Sequence, residues 1–299
     1  MTVYHPGELA VQERAGVRAG AAKIGASIDA VIEPAPAHFL AQRYSLYVGS
    51  LDVEGRPWAS QLTGPPGFVT AVSPTIVRID AAPAPGDPLL ANLAANPAIG
   101  LLAIDLVTRR RFRVNGTVKG VANGVIDLTV AQAFGNCPKY IQRREPVGVS
   151  KDLPDASRVV RSRVLSDAQR ARIAAADTFF LATAHPSAGV DVSHRGGRPG
   201  FVGAPDERTL VWPDYQGNMM FMSLGYLAIH PRAGVLVVDF ERGDVLSLTG
   251  SATIDWDPAR TTRFAGAERV IELRVEDVVD VPEGSVLRWR LVEPSPVNP

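Results

Sequence analysis

The strongest constraint on the fold of this 299-residue chain is that the sequence repeats itself. Residues 59–69 align without gaps to residues 192–202, and six of the eleven positions are identical. After a one-residue insertion the register continues, and residues 89–106 match residues 223–240 at seven of eighteen positions. A third match at the same offset aligns Gly116 with Gly250. Three matches in the same order along the chain predict two copies of one domain.

The residues around these blocks have the pattern of β-structure. Short apolar runs are separated by Gly, Pro and Asp, which favours antiparallel strands in a barrel or sandwich. We therefore predict a mainly β protein with one short helix in each copy, ending before Pro97 and before Pro231. Apolar residues near helical spacing from about residue 7 to residue 28 predict an N-terminal helix. The predicted divisions are the N-terminal helix within 1–30, the first copy over 31–145, a linker over 146–170 that leads into a helix at 167–176, and the second copy over 171–299.

Charge and composition argue against several classes of function. Lys and Arg together number 31, as do Asp and Glu, so no net field attracts nucleic acid or an anionic membrane. The single cysteine, Cys137, excludes an internal disulfide and a multi-cysteine metal site, and the histidine spacing does not suggest a metal site. The sequence lacks a secretory signal and an apolar run of the ~18 residues needed to span a bilayer. We expect a cytoplasmic protein that binds no metal, no nucleic acid and no membrane.

Four motifs are distributed along the chain between residues 4 and 218. They are YHPGELAVQERAG at 4–16, QAFGNCPKYIQR at 132–143, SHRGGRPGFV at 193–202 and WPDYQGN at 212–218. With the order of strands and short helices, these motifs resemble the FMN-binding split barrel of the pyridoxamine 5'-phosphate oxidase-like superfamily. The first two are similar to signatures of a flavin-nucleotide-binding branch of that superfamily.

The resemblance implies tandem FMN-binding split β-barrels packed as a pseudo-dimer, in which two copies within one chain imitate two subunits. It implies FMN as the cofactor and a small-molecule substrate or electron donor as the partner. Members of the fold commonly dimerise further, so a homodimer is among the expected assemblies. Residues 288–294 match only loosely the C-terminal segment that contacts the substrate in true pyridoxamine phosphate oxidases, and vitamin B6 oxidation is therefore not predicted.

Arg195 is the leading candidate for binding the FMN phosphate. A guanidinium can hold a phosphate through paired hydrogen bonds, and the glycines that follow, beginning with Gly196, let backbone N–H groups approach an anion closely. The repeat places Leu62 at the equivalent position of the first copy. This difference predicts that the second copy binds the phosphate and that the first copy has lost that site.

The remaining candidates in the second copy are placed by the same motifs. Gly217 and Asn218 are predicted to open the helix that carries Ser223, where free N–H groups and the helix dipole suit a phosphate or a flavin carbonyl. Asn218 is equally suited to be the N-cap of that helix. In the fold that this chain resembles, one strand runs beside the flavin ring. The resemblance assigns that strand to residues 212–215, so the candidate ring contacts are Trp212, Pro213, Asp214 and Tyr215. Ser193 and His194 complete the predicted set from this copy.

The first copy is expected to cover the flavin ring with Trp58, Gln61 and the segment 134–143. Within that segment Lys139 and Tyr140 are candidate contacts, because a lysine near the flavin N1–C2 carbonyl stabilises the reduced ring. Cys137 has no neighbouring His or Asp in the sequence to activate it as a nucleophile.

Catalytic residues are not identified by the sequence, although His194 is a candidate proton donor because histidine titrates near neutrality. We predict an FMN-dependent oxidoreductase acting on an unidentified small molecule. Two alternatives remain open. One is a flavin carrier or sensor without turnover, and the other is a haem- or deazaflavin-handling protein, for which His194 is the one plausible axial haem ligand.

Overall fold

The computed structural model describes residues 3–150 and 152–299, and two large antiparallel sheets dominate it. Each copy of the repeat contributes one sheet, so the predicted mainly β fold of two tandem domains is confirmed. No helix within the described ranges is long and apolar enough to cross a bilayer.

The N-terminal segment forms two helices, α1 (Pro6–Arg14) and α2 (Arg18–Gly25), and not the single helix predicted for residues 7–28. The chain turns between them at Gly16, whose φ of 70° lies in the left-handed region that glycine adopts readily. A third helix, α3 (Pro34–Ala41), leads into the first copy.

The first copy forms a seven-stranded sheet in the order β2-β1-β5-β6-β7-β4-β3. Its one short helix ends before Pro97, as predicted. In chain order the elements are β1 (Ser45–Leu51), β2 (Pro57–Thr63), β3 (Val69–Ser73), β4 (Ile76–Asp80), α4 (Leu89–Ala95), β5 (Ala98–Asp105), β6 (Arg110–Ala122) and β7 (Val125–Asn136).

The segment predicted as a linker contains regular structure. Strands β8 (Arg143–Val149) and β9 (Val160–Ser162) lie within or across it, followed by α5 (Asp167–Ala175). Ser166 caps the start of α5. Its hydroxyl accepts a hydrogen bond from the backbone N–H of Gln169, and its own backbone N–H donates to the side-chain oxygen of Gln169. This reciprocal cap satisfies two N–H groups that the first turn of a helix leaves free.

The second copy repeats the topology of the first. Its sheet has the order β11-β10-β14-β15-β16-β13-β12, with β9 added against β16. The elements are β10 (Thr178–His185), β11 (Gly189–Gly196), β12 (Gly203–Asp206), β13 (Thr209–Tyr215), α6 (Met222–Ile229), β14 (Arg232–Val238), β15 (Val245–Asp255), α7 (Pro258–Thr261), β16 (Ala267–Val281) and β17 (Leu287–Glu293).

Two equivalent glycines allow the copies to pack closely. A Cβ added to Gly100 in β5 would lie 2.7 Å from the carbonyl oxygen of Val190, and one added to Gly234 in β14 would lie 2.5 Å from that of Pro57. Gly100 and Gly234 occupy the same position in the repeat, as do Val190 and Pro57. The two contacts are therefore related by a pseudo-twofold axis between the copies.

Aromatic rings meet at the centre of this interface. Tyr47 of β1 and Phe180 of β10 are repeat equivalents, and their rings stack with centroids 3.4 Å apart. Apolar side chains from both copies surround the stack and form one buried cluster, separate from the two cores inside the copies. The equivalent strands β8 and β17 pair with each other in a two-stranded ribbon, so the pseudo-dimer arrangement is confirmed.

We predict that Gly100→Ala and Gly234→Ala each lower the free energy of unfolding by about 1–3 kcal/mol, because backbone of the other copy must move to admit the methyl group. Gly120→Ala in β6 is the control, since an added Cβ there meets nothing within 4 Å. Urea denaturation of the three variants measures the effect. Equal stability of all three would contradict the close contact between the copies.

Candidate functional site

The main candidate site is a cleft of about 850 Å³, including its mouth open to solvent. The second copy contributes β11, the end of β13 and the segment that leads into α6. The first copy contributes β6 and the chain that follows β7. Neither copy alone supplies all the walls, so the site depends on the pseudo-dimer.

The loop before α6 brings hydrogen-bond donors to the cleft. Helix α6 begins at Met222 and its N-cap is Phe221, so the prediction that residues 217–218 open the helix is wrong. The side chain of Asn218 instead accepts a hydrogen bond from the N–H of Met220, at 3.2 Å. Met222 and Ser223, at the helix start, line the cleft, and the first N–H groups of a helix have no partner within it. Their dipole end is positive.

Hydroxyl groups lie beside this helix start. The Oγ atoms of Ser193 and Ser223 are 3.0 Å apart, and both side chains are buried. The hydroxyl of Ser193 also reaches the carbonyl of Leu181, and that of Ser223 reaches Asp191, each at 3.4 Å. A ligand acceptor would therefore have to replace one of these contacts to receive a hydrogen bond from either serine. The strand β11 carries Ser193 and Arg195 on the same face, since side chains alternate along a strand.

Two arginines that line the cleft are paired with carboxylates. Arg195 donates to Asp214 at 3.0 Å, and Asp214 also accepts from Arg269. Arg113, on β6 of the first copy, donates to both oxygens of Asp191 at 2.9 and 3.1 Å. These carboxylates offset much of the charge of Arg113 and Arg195.

Arg111 differs because it forms no ion pair with a carboxylate among the described residues. Its Nε donates to the carbonyl of Cys137 at 2.8 Å, and its Nη1 lies 3.2 Å from Nδ1 of His194. Its Nη2 donates to no residue in the described part of the chain. The pKa of Arg111 is lowered to about 9, mainly by burial and to a smaller extent by the charge of Arg113. At neutral pH the side chain therefore still carries its charge. An anion in the cleft would relieve this cost.

The mouth of the cleft is flanked by aromatic and polar groups. The rings of Tyr140 and Tyr215 are 5.3 Å apart, and burial raises the pKa of both phenols. The hydroxyl of Tyr140 donates to the carbonyl of Gln216, and Lys139 donates to the Gln216 side chain. These contacts connect the first-copy segment after β7 to the second copy across the cleft.

Twelve of the fifteen predicted binding residues line the cleft. They are Lys139, Tyr140, Ser193, His194, Arg195, Gly196, Pro213, Asp214, Tyr215, Gly217, Asn218 and Ser223.

The other three predicted residues lie elsewhere. Trp212 is in the core of the second copy, edge-on to Phe179. Trp58 lies in the interface between the copies, and its Nε1 donates to Asp52. Gln61 is buried beside the hydroxyl of Tyr47. Trp58 and Gln61 are the repeat equivalents of Asp191 and His194, so they occupy the pseudo-symmetric place in the first copy.

The cationic residues of the first copy were missed by the sequence analysis. The run Arg109–Arg111 suggests only a strand edge or a turn, yet Arg111 and Arg113 are placed two residues apart on β6. This spacing places both side chains on one face of the strand, and that alternation is the signal that could have identified them. Their repeat equivalents, Val245 and Ser247, carry no charge.

The equivalent place in the first copy is filled by its own carboxylate. Asp87 accepts hydrogen bonds from the hydroxyl of Ser60 at 2.7 Å and from the N–H of Leu89 at the start of α4, at 2.8 Å. Ser60 and Leu89 are the equivalents of Ser193 and Ser223. Burial raises the pKa of Asp87 to about 6. The donors that face the cleft in the second copy are thus already used in the first.

Solved structures with some likeness to this chain each align with only part of it. HupZ of Group A Streptococcus is 13% identical over 41% of this chain and 98% of its own, with a TM-score of 0.33. A putative pyridoxamine 5'-phosphate oxidase of Lactobacillus delbrueckii is 14% identical over 39% of this chain and 94% of its own, with a TM-score of 0.32. HutZ, the haem storage protein of Vibrio cholerae, is 11% identical over 33% of this chain and 80% of its own, with a TM-score of 0.25. Scores of this size carry no conclusion about function.

The sequence matches none of the curated proteins with which it was compared. The profile of one family, described as pyridoxamine 5'-phosphate oxidase, matches residues 32–160 and again residues 165–290. The two matches together span most of the chain and coincide with the two sheets. This chain therefore belongs to the pyridoxamine 5'-phosphate oxidase family and contains two domains of that family in tandem.

Proposed function

We propose that the cleft binds one FMN per chain and that the protein is an FMN-dependent oxidoreductase. The observation that carries this proposal is the cationic floor of the cleft, where Arg111 has no carboxylate partner among the described residues. Arg195 and the start of α6 line the same cleft. An arginine with free N–H groups and a helix N-terminus in one cleft suit the dianionic phosphate of a flavin nucleotide.

The rest of the cleft suits the other parts of FMN. Both polar atoms of the Asn136 side chain and Nε of Arg195 are buried without a partner in the described residues. Unpaired buried polar atoms are rare in folded proteins and call for an explanation such as a missing ligand. Tyr140 and Tyr215 offer flat surfaces with a polar edge, as a flavin ring requires.

Bound FMN would supply hydride and electron transfer to a small molecule. The residues of this chain would hold its phosphate through Arg111, Arg195 and the helix start, and would exclude water from the buried side of the ring. His194 does not fit the role of proton donor near neutrality. The pKa of His194 lies well below its usual value, mainly because the ring is buried and to a smaller extent because of the charge of Arg111. The ring therefore stays neutral.

The first prediction is that the purified chain binds one equivalent of FMN. At the equivalent place Val245, Ser247 and Leu62 stand where Arg111, Arg113 and Arg195 line the cleft, and Asp87 takes up the hydrogen-bond donors there. Titration followed by flavin fluorescence measures the stoichiometry. Two equivalents of equal affinity would contradict the asymmetry of the copies, and no binding of FMN would remove the proposal.

The second prediction concerns the phosphate contact. Arg195→Ala and Arg111→Met each remove a charge-assisted contact worth about 1.5–3 kcal/mol. FMN affinity should therefore fall about 10- to 100-fold, while the affinity for riboflavin, which lacks the phosphate, should change little. Calorimetric titration of both ligands gives the comparison.

The repeat supplies matched controls for these two variants. Leu62→Ala and Val245→Ala change the equivalent positions, where no phosphate is expected. Both should leave the preference for FMN over riboflavin intact, whatever they cost in stability. An equal loss of FMN and riboflavin in Arg195→Ala and Arg111→Met would show that neither arginine contacts the phosphate.

The third prediction separates an enzyme from a flavin carrier or sensor. An oxidoreductase should reduce its bound FMN with NADH or NADPH, or with another donor in a screen, and should pass the electrons to an acceptor over many cycles. Stopped-flow absorbance of the bound flavin records both steps. Stable FMN binding without reduction by any donor would favour the carrier.

A further inference from the structure

His194 has an unusual environment for a histidine at the edge of a binding cleft. Its ring is 5% exposed and lies edge-on to Phe180, with centroids 5.9 Å apart. Its Nδ1 is 3.2 Å from Nη1 of Arg111. Its Nε2 is buried and has no partner among the described residues.

The contact with Arg111 decides where the proton of His194 lies. A guanidinium nitrogen donates hydrogen bonds and accepts none, so Nδ1 must be the acceptor and the neutral ring carries its proton on Nε2. A second proton on Nδ1 would place two donors face to face. It would also add a positive charge near Arg111 of β6, Arg144 of β8 and Arg195 of β11, the charged groups that face the ring.

We propose that His194 is a positioning residue that holds the guanidinium of Arg111 in the cleft while leaving its charge uncancelled. This inference rests on the proposed anion site. Asp191 and Asp214 hold Arg113 and Arg195 through ion pairs, which weaken the field available to a ligand. A neutral imidazole and the Cys137 carbonyl also hold Arg111, and neither carries a compensating charge. The charge of Arg111 then stays available to a phosphate.

The same geometry argues against the haem-handling alternative. Iron binds an imidazole nitrogen that carries no proton. In His194 the lone pair of Nδ1 faces Arg111, and Nε2 carries the proton. The positive charge of Arg111 beside the ring would also repel a metal cation. His194, the one histidine expected to serve as an axial ligand, is therefore unsuited to that role while Arg111 is in place.

One experiment tests the tautomer on the whole chain without flavin. In a sample labelled with ¹⁵N-histidine, long-range ¹H–¹⁵N spectra distinguish the two neutral tautomers and the protonated ring. We expect His194 to show the Nε2–H form throughout about pH 5.5–8.5, the range in which histidines ordinarily titrate. Arg111→Met should remove the constraint and alter the pattern, and His194→Asn assigns the signals. An Nδ1–H form, or protonation within that range, would overturn the proposal.

A double-mutant cycle tests the positioning role. His194→Leu removes the acceptor, and the ratio of FMN to riboflavin affinity should fall about 5- to 10-fold, as for the loss of one ordinary hydrogen bond. His194→Asn keeps an acceptor oxygen near the place of Nδ1, so it should retain most of the ratio. In the Arg111→Met background His194→Leu should change the ratio no further, because coupled residues are not additive.

Each other result of the cycle contradicts the proposal. If His194→Leu lowers the ratio equally with and without Arg111, or if His194→Asn is as damaging as His194→Leu, His194 does not act through Arg111. Riboflavin affinity reports general damage to the fold. If neither the parent protein nor any variant binds FMN, the proposed function fails. The tautomer experiment then still decides whether Nδ1 of His194 accepts a hydrogen bond from Arg111.

Discussion

The close packing of the two copies is the contact on which the candidate site depends. Gly100 and Gly234 have no side chain at the points where a strand of one copy meets backbone of the other, and the stacked rings of Tyr47 and Phe180 fill the centre. This packing brings β6 of the first copy alongside β11 of the second. Without it, Arg111 would lie at the surface of one sheet, far from Ser193 and the start of α6.

The pseudo-twofold axis generates two equivalent places, and different side chains have given them different properties. In one place the buried Asp191 binds Arg113 and Asn115 of the other copy and Ser223 of its own. In the other, Trp58 stands where Asp191 would be, and Asp87 accepts the hydrogen bonds of Ser60 and the helix start. The two places therefore offer an external anion different surroundings, and the proposal of a single ligand per chain rests on that difference.

The electrostatics of the cleft are set by what each arginine is paired with. A carboxylate partner fixes an arginine and also offsets its charge, whereas a neutral acceptor fixes it and leaves the charge available. Arg111 is the arginine of the cleft held by neutral acceptors, and the proposed preference for a phosphate depends on it. This explains why counting arginines around the cleft, without their partners, gives a poor measure of its field.

The sequence alone determined the duplication, the strand order and most of the cleft residues of the second copy, because motif and repeat position are local properties of the chain. It also showed that Arg195 and Leu62 stand at equivalent positions of the two copies. The sequence did not identify most of the residues that the first copy contributes to the cleft. Trp58 and Gln61 were expected over the ring, but they lie at the equivalent place on the other side of the pseudo-twofold axis, while Arg111 and Arg113 were missed. Which faces of the two copies meet depends on contacts between residues far apart in the chain, such as Arg113 with Asp191, 78 positions apart, and only the tertiary structure could decide them.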